Sequence, residues 1–379
     1  MFRDGGGPRL PAVLPVSRPS LPPLDDYVRL LEDIWESRML SNFGKHARRF
    51  EEKAQTYLAN PWTRSVVNCD IGLVLSIAAL DIPEGGECLV QAFTFNSTVN
   101  AILWNRLTPA FVDIDPRTLN VDCDDLERRI TAATRAIVVT HIFGSPLPIE
   151  RVLEMARRRG LPVVVDAAHA YGATSRGMHI GDPRLGDFQV FSFSGTKQLT
   201  SAEGGLIAAA TAEGARRIEY LRAYGFQNDY VSEFVGVNGK LSEIHAALAC
   251  LTVDRVEEAV AARQQKAERY RTALGRDPRI RFQEVLPDSR STYKDFAILC
   301  PERRDELAAD LEASGIQTKK YFRPVHGMPA FRRFQSPADD LGDTTGVAES
   351  ILCLPMFNEL PDADVDRVSE TILRFYGHG

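Results

Sequence analysis

From about residue 64 to residue 210, short apolar runs rich in β-branched residues alternate with helical patterns. The runs are Glu87–Val90, Ala110–Asp113, Ala136–Thr140, Pro162–Asp166, Phe188–Phe193 and Gly205–Ala209. Helical stretches lie between them at Ile71–Leu80, Ser97–Asn105, Cys123–Ala132 and Ile149–Arg159. No other feature constrains the fold as much. Strands separated by helices need crossover connections, and crossovers give a mainly parallel sheet covered on both faces.

The texture changes on either side of this stretch. Prolines at 8, 11, 15, 19, 22 and 23 predict an extended arm, because proline fixes φ and removes a donor. Helices are expected at Asp25–Ser37 and Lys45–Leu58, and a long helical pattern runs over Leu241–Leu274 across two or three helices. After 280, strands are expected at Ile280–Phe282, Tyr293–Leu299 and Ile316–Lys319, beside helices near Arg304–Ser314 and Asp362–Phe375. The predicted organisation is an N-terminal arm over 1–24, a large α/β domain over 25–250 and a small C-terminal α+β domain over 251–379.

Charge and cysteine usage narrow the function classes. The 379 residues carry 45 Lys plus Arg against 51 Asp plus Glu, a formal charge of −6 that is evenly spread. That argues against a nucleic-acid partner, which calls for a basic face. No apolar run approaches the roughly 18 residues of a membrane span, and the early prolines interrupt any signal-peptide core. The six cysteines, at 69, 88, 123, 250, 300 and 353, form no CxxC pair. They read as free thiols in a reducing, cytoplasmic setting, with no metal site expected.

In an open α/β sheet, ligands gather beyond the carboxyl ends of the strands. One run ends in Asp166-Ala-Ala-His169, another in Ser194-Gly-Thr-Lys197, and a third leads into Phe93-Thr-Phe95. The first helix of the sheet opens at Asn68-Cys69-Asp70. An acid, a lysine, an aromatic ring and a helix N-terminus are therefore expected in one cleft. Pyridoxal 5′-phosphate calls for this set: a lysine to carry it, an acid for the ring nitrogen, a ring to stack on it, and N–H groups for its phosphate.

Six segments in the family's order carry a resemblance that spans nearly the whole chain. Asp166-Ala-Ala-His-Ala170, Ser192-Phe-Ser-Gly-Thr-Lys197 with its Glu203-Gly-Gly205 turn, and Gly236-Val-Asn-Gly-Lys240-Leu-Ser-Glu243 are flanked by Pro15-Val-Ser-Arg-Pro-Ser20 and Tyr321-Phe-Arg-Pro-Val-His326. Ile351-Leu-Cys-Leu-Pro-Met356 follows. The sequence resembles the DegT/StrS family of nucleotide-sugar aminotransferases.

The resemblance implies fold type I of the pyridoxal-phosphate enzymes, with a mostly parallel seven-stranded sheet in the large domain. It implies Lys197 as the lysine bonded to the cofactor, Asp166 at the ring nitrogen and His169 near the phenolic oxygen. Phe95 would stack on the ring, with Phe93 as the alternative. Ser192, Cys69 and Asp70 would line the phosphate cup. Asp70 stands where the family has threonine, and a carboxylate repels phosphate. Asp70 is therefore expected to turn away and cap the helix, leaving the N–H groups of 70 and 71 to bind. Asn238 matches an asparagine that the family supplies from a neighbouring subunit, which implies a homodimer with shared active sites. Ser41, Asn42, Lys240, Tyr321, Arg323 and His326 match positions on the sugar-nucleotide side.

The implied reaction moves an amino group from L-glutamate to a nucleotide-activated keto sugar. Phe93–Asn105 and Leu40–Gly44 look more like enzymes that aminate carbon 4 of a 4-keto-6-deoxy sugar, as in dTDP-4-amino-4,6-dideoxyglucose formation for antibiotics or polysaccharides. The alternatives are a 3-keto sugar or a keto-cyclitol. A related dehydratase branch carries histidine in place of the lysine, so Lys197 argues against it. A non-catalytic sensor would have no use for Lys197 with Asp166.

Overall fold

The computed structural model describes residues 13–228, 230–336 and 340–377. The alternating stretch forms a seven-stranded sheet: β1 (Thr63–Val66), β2 (Glu87–Gln91), β3 (Thr108–Val112), β4 (Thr134–Thr140), β5 (Val163–Asp166), β6 (Phe188–Ser192) and β7 (Gly205–Ala209). Their spatial order is β1-β7-β6-β5-β4-β2-β3. Strands β6, β5, β4, β2 and β3 pair in parallel, while β7 runs antiparallel to both β6 and β1. The sheet is thus mostly parallel, as the alternation predicts.

Successive residues of each strand point to opposite faces, so each strand feeds two cores. Val163 and Val165 join one apolar cluster, with α2 (Lys45–Leu58), α5 (Cys123–Arg129), α6 (Ile149–Arg159) and α8 (Glu243–Val253). Val164 joins the other, with α3 (Cys69–Ala78), α4 (Asn96–Trp104) and α7 (Ala212–Leu221). Helix α1 (Leu24–Ser37) precedes the sheet.

Helix α9 (Val256–Leu274) links two cores. Its start, through Val256 and Val260, packs on the large sheet, and its end, through Ala267, Tyr270 and Leu274, packs in the C-terminal part. There, β8 (Arg281–Phe282), β9 (Phe296–Leu299) and β10 (Ile351–Leu354) form an antiparallel sheet with α10 (Arg304–Ala313), α11 (Gly342–Ser350) and α12 (Asp362–Phe375) around it. This is the smaller α+β unit.

The pattern Leu241–Leu274, expected to span two or three helices, is two, broken at Asp254–Arg255. Other expectations are corrected. Ile316–Lys319 is not a strand of the small sheet. Its backbone bonds are divided between two partners: Gln317 N–H donates to Leu14 O at 2.9 Å, and Lys319 N–H to Cys353 O at 3.1 Å. The first of these docks the arm on the small unit, and arm residues 1–12 lie outside the described residues. Strand β1 and helix α7 have no counterpart among the sequence runs. β1 is four residues long with an arginine in it, and pairing with β7 decides it.

A further apolar cluster joins the two units. Phe93, Ile142 and Phe143 meet Leu299, Phe322, Ile351 and Cys353, which brings residues 321–322 over the strand ends of the large sheet. Among the described residues, no helix is long and apolar enough to cross a membrane.

Candidate active site

Strands β4, β5 and β6 end at Thr140, Asp166 and Ser192, beside the starts of α3 and α4. Together they enclose a cavity of about 340 Å³. Cys69, Asp70, Phe95, Asp166, His169, Ser192 and Lys197 all line it. Residues from four separate stretches of sequence are thus brought together.

The start of α3 reaches the cavity because small residues let it approach the sheet. A Cβ on Gly205 of β7 would lie 2.8 Å from the Asn68 carbonyl carbon, and one on Gly72 would lie 2.6 Å from Val190 of β6. The cap of α3 is Asn68, whose Oδ1 accepts from Ile71 N–H at 2.9 Å. The expectation that Asp70 caps the helix is therefore corrected, and the N–H of residue 71 is already taken. Helix geometry leaves the N–H groups of Cys69 and Asp70 without intrahelical partners. Asp70 is exposed and stands in the cavity wall. The Cys69 thiol is buried and donates to Val190 O at 3.9 Å. Burial holds it well above the usual thiol pKa, so it is not a thiolate.

Asp166 is buried at the floor. Thr98 Oγ1 donates to its Oδ2 at 2.6 Å, and Ala168 N–H donates to its Oδ1 at 3.1 Å. Burial raises its pKa, while these two bonds and Lys197 oppose the rise. Lys197 is partly buried, and desolvation, followed by the nearby Lys294 charge, brings its pKa down to about 8. An amine near that value can act as a nucleophile and a base close to neutral pH.

His169 is buried and held neutral, first by burial and then by the charges of Lys197, Lys294 and Arg263. Its ring lies nearly parallel to Phe143 and Phe322, and its Nδ1 is a buried polar atom with no protein partner. Phe95 is half exposed at the cavity edge, 6.2 Å from the Phe322 ring. Phe93 is wholly buried and does not line the cavity, so Phe95 is the better placed of the two.

Sequence reasoning missed Thr98, Thr140, Ser194, Glu203 and Phe322. Phe322 adjoins Tyr321, which is expected on the sugar-nucleotide side. Thr98 is the third residue of α4, one turn from the strand end, and only the fold turns it toward Asp166.

The donor set fits pyridoxal phosphate: a lysine with a lowered pKa, a buried acid, an orphaned imidazole nitrogen, rings at the edge, and hydroxyls with a helix N-terminus. The model of the DegT/DnrJ/EryC1/StrS aminotransferase family matches residues 25–373. The chain belongs to that family. These are pyridoxal-phosphate-dependent enzymes of fold type I, acting on nucleotide-activated sugars. The aminotransferase is 32% identical over 366 residues to a dTDP-4-amino-4,6-dideoxy-D-glucose transaminase of Escherichia coli, covering 95% of this chain and 98% of that one. It is 33% identical over 351 residues to a GDP-perosamine synthase of Caulobacter vibrioides, covering 90% and 92%. Among solved structures, DesI in the presence of its TDP-sugar product superposes with a TM-score of 0.90 at 31% identity, over 98% of this chain and 95% of that one.

The other expected site residues of the aminotransferase lie outside its own cavity. Ser41 and Asn42 sit on a loop in which Asn42 and Phe43 adopt left-handed φ of 66° and 60°. The Arg222 guanidinium lies 4.3 Å from the Phe43 ring centroid and holds this loop. Asn238 is exposed and accepts from Lys240 Nζ at 2.6 Å. Lys240 also lies over the Tyr224 ring at 4.0 Å. Tyr321 OH accepts from Lys319 Nζ at 2.9 Å, Arg323 is exposed, and His326 is buried with its ring 6.2 Å from that of Phe111.

Proposed function

We propose that the enzyme transfers the amino group of L-glutamate to carbon 4 of a nucleotide-activated 4-keto-6-deoxy sugar, a step toward deoxyaminosugars of antibiotics or polysaccharides. The single observation that carries carbon 4 is the likeness, across nearly both whole chains, to a relative whose name puts the nitrogen on carbon 4 of a 4,6-dideoxy sugar. The amino-transfer chemistry is supported by Lys197 and Asp166 sharing one cavity at the strand ends.

When bound, pyridoxal phosphate supplies the carbonyl that takes up the amino group and a ring that accommodates the electron pair released at the substrate carbon. Lys197 Nζ would hold it covalently. Asp166 would accept from the ring nitrogen and keep it protonated. Ser192 and the N–H groups of Cys69 and Asp70 would hold the phosphate, and Phe95 would cover the ring. His169, being neutral, can offer one ring N–H to the phenolic oxygen. Lys197 Nζ would also move the proton, taking it from the α-carbon of glutamate and, in the second half of the cycle, delivering one to the sugar carbon. Its lowered pKa suits both directions.

Asn238 is assigned to the site of a second copy in a homodimer, and Lys240 to the sugar diphosphate as a point charge. The exposure of Val235 (98%) and Tyr230 (88%) in the same segment supports the homodimer.

Two experiments test the reading. Borohydride should fix pyridoxal phosphate onto Lys197, and recovery of the label on another residue would refute the site. The amino-loaded enzyme, mixed in turn with 4-keto and 3-keto sugar nucleotides and a keto-cyclitol, should regain its visible absorption with the 4-keto sugar. Recovery with only one of the others would reassign the carbon.

A further inference from the structure

Three buried threonines connect the cavity wall to the acid at its floor. Thr98 Oγ1 lies 2.6 Å from Asp166 Oδ2, Thr94 Oγ1 lies 3.0 Å from Thr98 Oγ1, and Thr140 Oγ1 lies 2.8 Å from Thr94 Oγ1. Thr94 and Thr98 are fully buried, and Thr140 is 7% exposed where it lines the cavity.

The proton direction follows from valence. An ionised carboxylate only accepts, so Thr98 must donate to Asp166. Each hydroxyl has one proton to give. Thr98, having given its own, accepts from Thr94, and Thr94 in turn accepts from Thr140. All three dipoles then point at the carboxylate. The frame around them is fixed as well. Gln91 Oε1 accepts from Thr140 N–H at 2.9 Å, and Gln91 Nε2 donates to Phe93 O at 3.0 Å, so one side chain sets the backbone on both sides of the chain of hydroxyls.

We propose that Thr140, Thr94 and Thr98 form a directed chain of hydroxyl donors that holds Asp166 ionised and oriented toward the ring nitrogen of the cofactor, with Thr98 and Thr94 as positioning residues. The orientation clause rests on the reading of the site given above; the chain itself does not.

The environment makes such a device necessary. Burial disfavours the Asp166 charge, and Asp70 on α3 adds a like charge. The favourable influences are Thr98, the Ala168 N–H and Lys197, with Thr98 the largest. Cys69, also facing Asp166, is a neutral thiol. A donor that is itself polarised by further donors bonds more strongly than an isolated hydroxyl, by about 10–30% per added bond.

The test uses the full-length protein freed of cofactor, with the Asp166 carboxyl titrated by infrared spectroscopy and assigned by difference from Asp166→Asn. Valine keeps the shape of threonine without the hydroxyl. Thr98→Val should raise the Asp166 midpoint by about one to two pH units, the tenfold to hundredfold loss that accompanies removal of a hydrogen bond to a charged group. Thr98→Ser should restore it. Thr94→Val, which leaves Thr98 and the cavity wall intact, should raise the midpoint by about a third as much. Pyridoxal phosphate affinity of the same variants should fall in the same order. An unmoved midpoint in Thr98→Val overturns the proposal. A moved midpoint there with none in Thr94→Val also overturns it, in favour of a single bond. If borohydride labels a residue other than Lys197, the reading of the site fails, while the infrared titration still decides the hydroxyl chain, because it needs no cofactor.

Discussion

The floor of the cavity and the segment from Tyr224 to Lys240 are built in opposite ways. At the floor, Asp166 and Thr98 are buried and bonded within the chain. In the segment, Val235 and Tyr230 are almost wholly exposed, and Asn238 and Lys240 bond to each other. Burial at the floor shifts pKa values and fixes donors. The exposed segment presents apolar surface at Val235 and Tyr230 that no described residue covers. The groups that shift pKa values are thus set within one chain, while the edge segment is the part that the proposed function gives to a second copy.

The contrast can be broken most sharply at Lys197. Lys197→Ala should lower amino transfer by about 10³–10⁴-fold and abolish borohydride labelling, as loss of both nucleophile and base requires. Steady-state kinetics and peptide mapping check this.

Next come stability and assembly. Phe193 is fully buried, with Phe50 and Tyr171 edge-on to it at 5.3 and 5.1 Å. Phe193→Ala should cost about 3–5 kcal/mol in denaturant unfolding. Val235→Ser should leave the unfolding of the chain within about 0.5 kcal/mol, yet shift a sedimentation profile from dimer toward monomer. A large stability loss without dissociation would place Val235 on the structural side of the comparison.

The pH dependence of loading sharpens the account of the floor. The Lys197 amine has its pKa brought down to about 8, so it is mainly protonated below that pH and mainly neutral above it. Capture of pyridoxal phosphate by the cofactor-free protein should therefore rise about tenfold per pH unit up to that point, then level off. Stopped-flow absorbance measures it, and a flat profile from pH 6 to 9 would contradict the assignment.

The smallest effect belongs to Asp70 at the cavity rim. Asp70→Thr removes a negative charge beside a helix N-terminus, and should strengthen cofactor binding by about two- to fivefold. A weaker complex in equilibrium titration would mean that Asp70 makes a favourable contact.

Much of this was legible before the fold. The strand runs from Glu87 to Ala209 fall on β2–β7, because doubly buried strands must be apolar throughout. Asp166, Lys197 and Cys69 were legible as strand-end and helix-start residues, since an open sheet gathers its ligands there, while Ser192 was legible only through the family resemblance. β1 was not, because four residues with a charged side chain carry no clear period and only pairing with β7 defines them. The capping of α3 was misread because Asn68 and Asp70 are both good caps. The choice depends on which side chain reaches Ile71 N–H.

Local pattern, then, fixed the strand–helix order, the two-sided burial of the sheet and the residue types at its carboxyl edge. These follow from hydrophobic periodicity and the chemistry of single side chains. Only the tertiary structure decided that Thr98, Thr94 and Thr140 line up behind Asp166, that Phe322 lines the cavity, and that Asn238 stands outside it. These depend on distances between residues far apart in the chain, and no local pattern encodes them.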